Sequence, residues 1–129
     1  MSFSPWHGRR CAGESIPGGQ CSSCFSAGSR IVGEVNDAYV KLVKLKGEFV
    51  WHHHDGEDEM FLVIKGRFLM KLQDRDIQLE AGEFIIIPRG VEHMPVADEE
   101  VEVLLIEPKT TLNTGNVKNE RTVELLPQI

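Results

Sequence analysis

Residues 39–66 read YVKLVKLKGEFVWHHHDGEDEMFLVIKG, and the periodicity of this stretch decides the fold. Tyr39–Leu45 partly alternates apolar and polar residues, the period of a half-buried strand. Met60–Ile64, MFLVI, is a continuous apolar run of strand length, as a strand buried on both faces would be. The joining segment, WHHHDGEDEM, puts three histidines in a row and then four acids in five residues. Such a run is either a solvated polar loop or a metal site.

The same texture continues outward. IVGEV, EFVW, RFLMKLQ, DIQLEA, EFIIIP and VEVLLIE are short runs separated by KG, HDGED, KGR, QDRD, EAGE, PRG and ADEE. No segment holds a helical period, and glycine or proline interrupts too often for one. Many short strands at this spacing predict an all-β sandwich or barrel over residues 31–107. Residues 1–30 are rich in Gly, Ser, Pro and Cys without periodicity, which predicts an irregular or disordered N-terminal arm. Beyond Pro108 the pattern fades into a polar C-terminal tail, 108–129, expected to lie on the barrel, where VELL has the makings of a short strand or helix.

The bulk numbers exclude some functions. A chain of 129 residues with 41% hydrophobic residues supports one core. Its net charge of -6 gives no electrostatic reason to bind nucleic acid or an anionic membrane. No apolar run approaches the roughly 18 residues of a membrane span, and no basic-then-apolar leader opens the chain. Cys11, Cys21 and Cys24 are an odd count confined to the arm, which predicts a reducing, cytoplasmic setting.

Alternation sorts the histidines. Side chains two apart on a strand share a face, about 6–7 Å apart, so His52 and His54 point one way and His53 the other. Glu59 opens the next apolar run and shares a face with Phe61 and Val63. A chain turning back through DGED would bring Glu59 to the histidine pair. His93 follows the turn Pro88-Arg89-Gly90. Three imidazoles and a carboxylate suit a divalent transition metal.

The residues resemble the cupin family. Gly47–Gly66 looks like its first motif: Gly, a spacer, His-x-His at His52 and His54, four residues, Glu59, six residues, Gly66. Gly82–His93, GEFIIIPRGVEH, looks like the second: Gly, five residues, Pro-x-Gly, two residues, His. Fifteen residues separate Gly66 from Gly82, about the shortest spacing the family uses between motifs. The spacer before His52 is one residue shorter than usual, and the family's terminal Asn is Ala97 here. Neither is a ligand position. Together with PRGVEH and NTG, the chain is similar to small single-domain cupins often labelled as mannose-6-phosphate isomerase-like, a label that fixes no substrate.

The resemblance implies a double-stranded β-helix, or jelly-roll barrel. It implies that His52 and His54 ligate from one strand, Glu59 from its hairpin partner and His93 from the second motif. The metal would be Fe, Mn, Ni or Zn. Two open positions on an octahedral ion would take an anionic or chelating small molecule. The implied function is a metal-dependent enzyme, dioxygenase-like or isomerase-like; the alternatives are a non-catalytic binding or sensing module and a purely structural metal. Small cupins commonly pair, so a homodimer is expected.

The remaining residues get plainer readings. Asp55, Glu57 and Asp58 are expected in a solvated loop, although Asp58 also fits a permitted ligand spacing. Glu57 and Glu92 are expected to face solvent. Phe49, Trp51, Phe61, Phe68 and Phe84 read as barrel filling or dimer packing. Gly66, Gly82 and Gly90 read as turn glycines, and Lys41, Lys44 and Lys46 as solvated or edge-protecting charges. His7 with the three cysteines makes a weak zinc-knuckle pattern.

Overall fold

The computed structural model describes residues 26–116. The N-terminal cysteines, His7 and the VELL segment lie outside the described residues. Seven strands form in order: β1 Ser26–Val35, β2 Ala38–Glu48, β3 Glu59–Lys65, β4 Arg67–Leu72, β5 Asp76–Glu80, β6 Phe84–Ile87 and β7 His93–Pro108. Among the described residues there is no helix, and none long and apolar enough to cross a membrane.

β1 and β2 form a hairpin that closes at Val35↔Ala38. Its turn is Asn36-Asp37, with Asn36 at φ 50°, a left-handed conformation that Asn tolerates better than most residues. β1 begins at Ser26, inside the stretch whose composition reads as an arm. Its pairing Ser26↔Lys46 through Arg30↔Leu42 uses backbone groups, for which Gly and Ser serve as well as any residue.

β2 and the segment after it run antiparallel to β7 along nearly its whole length. Ala38–Leu45 pairs with Pro108–Val101, and after a register shift Gly47 and Glu48 meet Ala97 and Val96. The Phe49 N–H donates to Pro95 O at 3.1 Å, and His52 bridges to His93. Along the other edge of β7, β3 pairs with residues 102–106 and β4 with residues 93–96. β3 and β4 do not pair with each other. They are one path that turns a corner at Gly66, φ 88°, where a Cβ would lie 3.2 Å from Glu100 O. Two long ribbons thus bend together from one sheet into the other, the double-stranded β-helix of a jelly roll.

Alternation supplies the core. Val43 and Leu45 of β2, Phe61 and Val63 of β3, Phe68 and Met70 of β4, and Val101 and Val103 of β7 all point inward and are buried. Among the described residues β5 pairs only with β4, and β6 only with β3. Between them opens a cavity of about 450 Å³ lined by Leu72, Ile77, Ile85, Ile87 and Val91, with Asp74, Arg75 and Glu92 as charged groups. On the outer face Phe84 and Ile86 are 59% and 54% exposed.

Candidate metal centre

His52, His54, Glu59 and His93 are all buried, and one donor atom from each lies within 4.8 Å of the others. Local structure explains the convergence. His52 and His54 sit two apart on an extended segment, so one face carries both. Glu59 starts β3 and joins Phe61 and Val63 on the inward row. His93 starts β7 opposite His52, their backbones exchanging bonds of 2.9 and 3.1 Å. One expectation needs correction: β3 is not the hairpin partner of the histidine segment. β3 pairs with β6 and β7, because the DGED loop carries the chain across the barrel rather than back alongside itself.

Hydrogen bonds orient the rings. His52 Nδ1 lies 2.8 Å from Val50 O, and His93 Nδ1 lies 2.8 Å from Val91 O. Each carbonyl accepts an N–H, which fixes the proton on Nδ1 and turns the Nε2 lone pair inward, the tautomer a metal needs. Burial, joined by the nearby His93, lowers the His52 pKa to about 4, so its imidazole is neutral at pH 7. Burial alone would push the Glu59 carboxyl up, but His54, His93 and Glu107 face it and hold it well below the usual carboxylate range. His54 and His93 Nε2 each approach Glu59 Oε2 at 2.9 Å. Yet His54 Nε2 is buried with no hydrogen-bond partner. A buried, unsatisfied imidazole nitrogen aimed at a carboxylate and two further imidazoles is what a cation between them would satisfy. The donor set therefore fits a divalent transition metal.

His53 points the other way, as alternation predicts. Its Nδ1 lies 2.6 Å from Glu92 and its Nε2 2.9 Å from Asp55, and chiefly the Glu92 contact raises its pKa. Glu92 is thus half-buried against His53 rather than facing solvent. Asp58 does not join the cluster; its carboxylate accepts the Arg89 N–H at 2.8 Å, tying the acidic loop to the Pro-Arg-Gly turn. Glu57 is also partly covered and accepts from Thr110 Oγ1 at 3.0 Å.

Lys41 departs from the reading given for the three lysines, whereas Lys46 is exposed as expected. β2 lies between β1 and β7, so it has no edge to protect. Lys41 falls on the inward row with Val43 and Leu45 and is buried, with Glu107 as its ion-pair partner. Glu107 is buried as well. Burial first, and then contact with Glu59, raises its pKa well above the usual range despite Lys41. Neither residue was expected at the site. Parity groups Lys41 with Val43 and Leu45, and Glu107 with Val101, Val103 and Leu105, but which face of β2 is the core follows only once β2, β7 and β3 are paired.

Known proteins agree with this architecture. The Cupin domain family profile matches residues 39–107. The chain belongs to the cupin family. A cupin-2 domain containing protein from Shewanella frigidimarina is 49% identical with a TM-score of 0.61, the match covering 62% of this chain and 78% of that one. Protein NMB1881 from Neisseria meningitidis is 26% identical with a TM-score of 0.55, covering 60% and 80%. Among curated proteins, the uncharacterized protein YdbB of Bacillus subtilis is 40% identical over 63 residues, 48% of this chain and 56% of YdbB. An acireductone dioxygenase of Sulfurihydrogenibium is 36% identical over 66 residues, 48% of this cupin and 37% of the dioxygenase. The cupin thus spans about half or less of the curated relatives it matches.

Proposed function

We propose that His52, His54, Glu59 and His93 hold one divalent transition metal ion, and that this cupin binds and transforms a small anionic or chelating molecule there. The convergence of four buried donor atoms within 4.8 Å carries the reading. When bound, the metal supplies Lewis acidity or oxygen activation; Fe, Mn, Ni and Zn all suit the donors. Three neutral imidazoles and one carboxylate leave a 2+ ion at a formal +1, which favours enolates, keto acids or sugar acids. The cavity between β5 and β6 offers the approach: Ile87 pairs with Glu59 and Leu72 with His93, so its apolar lining flanks two of the proposed ligands. That lining excludes water and orients the substrate's apolar part, while Arg75 stands available for an anionic group.

The likeness to an acireductone dioxygenase supports dioxygenase-like chemistry. A binding module without turnover is the second reading. It is favoured by the lining itself, where Asp74 and Glu92 are the acidic groups and Glu92 is engaged with His53. Elemental analysis of untagged protein tests the metal; one ion per chain is expected, and none refutes it. Turnover lost in His54→Ala identifies an enzyme, whereas a ligand-induced melting shift without product identifies a binder. The exposed Phe84 and Ile86 support a homodimer covering the outer face of β6, and a stable monomer by light scattering at high concentration opposes it.

A further inference from the structure

The barrel interior holds two ionisable side chains that the proposed ligand set leaves unused, Lys41 and Glu107. Each is nearly inaccessible, at 4% and 2% exposure. Burying an ion pair costs several kcal/mol per ion before attraction is counted, and an apolar pair of similar volume often does as well or better. Barrel filling alone therefore does not account for them.

Their placement follows from register. Met60 pairs with Ile106, so one step further along the same ladder sets Glu59 beside Glu107. Tyr39 pairs with Glu107 on the opposite side of β7, which makes Lys41 a diagonal neighbour. Lys41 Nζ meets Glu107 Oε1. The second oxygen, Oε2, finds no hydrogen-bond donor, and the ladder sets the buried Glu59 beside this side chain. Three inward rows on three adjacent strands thus set Lys41, Glu107 and Glu59 in a line that ends at the imidazoles.

We infer that Lys41 and Glu107 are positioning residues that hold the Glu59 carboxylate in its ligating orientation, a role that rests on the metal reading above. Glu107 is the spacer: the lysine anchors its carboxyl, and the anchored side chain packs beside Glu59 and limits its rotation, which otherwise has the freedom of a glutamate side chain. Partners behind a ligand typically govern affinity by 10–100-fold.

Co(II) is the probe, read by its visible spectrum and by competition against a chromophoric chelator. Wild type should bind one Co(II) per chain; if it does not, the metal reading falls and takes this inference with it. Glu107→Gln keeps the shape of the side chain and an oxygen for Lys41, so it should bind within about threefold of wild type and keep the spectrum. The double variant Lys41→Met/Glu107→Met replaces the pair with apolar bulk. It should fold and melt near or above wild type, yet bind Co(II) about 10–100-fold more weakly with an altered spectrum. Wild-type affinity in the double variant overturns the inference while leaving the metal site intact. If the double variant does not fold, Glu107→Gln against Glu107→Leu decides: equal affinities overturn the inference, and a tenfold or greater gap supports it.

Discussion

Replacing Gly115 with alanine should damage the protein far more than the same change at Gly82. Both glycines have positive φ, 54° and 87°, so each substitution carries a backbone cost of about 1 kcal/mol or somewhat more. The surroundings differ. A Cβ on Gly82 meets nothing within 4 Å, whereas a Cβ on Gly115 falls 2.1 Å from His53 O and 3.1 Å from His54 Nδ1. Backbone cannot rotate out of the way, so the 113–116 turn must lift. Lifting it strains two hydrogen bonds, Asn116 N–H to His53 O at 3.0 Å and His53 N–H to Asn116 Oδ1 at 2.9 Å. At about 1 kcal/mol each, the total reaches about 3 kcal/mol for Gly115→Ala against about 1 for Gly82→Ala. Urea unfolding reads the difference: with a slope of about 1.5 kcal/mol/M, the midpoint drops by about 2 M and about 0.7 M respectively. Metal affinity should fall in Gly115→Ala alone, because the displaced turn supports the segment bearing His52 and His54. Equal midpoint losses in the two variants would refute the claim that this turn braces the site.

Other outcomes follow from the same geometry. His93→Ala should abolish stoichiometric metal binding, whereas His53→Ala, which removes a ring on the opposite face, should retain one ion per chain by elemental analysis. Phe61→Ala empties the core against Phe68 and should cost about 3–5 kcal/mol in equilibrium unfolding. Metal-free protein should lose stability as pH falls from 6.5 towards 4. The folded His52 pKa, about 4, lies below the unfolded value, so the unfolded chain takes up the proton first, and the gap is worth about 3 kcal/mol; thermal melts between pH 7 and 4 that do not move would rule this out. Removing the metal with a chelator should lower the melting temperature, since an ion at about a thousand times its Kd contributes about 4 kcal/mol.

The four converging residues were legible because strand parity and motif spacing act on side chains directly: His52 and His54 share a face, and Glu59 and His93 occupy fixed places relative to Gly66 and Gly90. β1 was not fully legible, because Ser26–Arg30 joins the sheet through its backbone and its composition resembles that of a loop. The continuity of β7 was masked by ADEE, which reads as a break but bends within the strand. Lys41 and Glu107 were missed for a different reason. In YVKLVKL both faces carry a lysine, so parity alone does not say which face is the core until β7 and β3 are paired.

β7 has a consequence for how the protein comes together. One end of this sixteen-residue strand supplies His93 and Glu107 lies near the other, yet both meet Glu59. That meeting is possible only after the ribbon has wound fully around the barrel. The full donor set is therefore assembled only when the last turn closes: the ribbon of β2 and β7 alone brings His93 to His52, but not Glu59. Metal uptake during refolding should then keep time with the slowest folding phase instead of preceding it, which makes the ion a stopwatch for the completion of the coil.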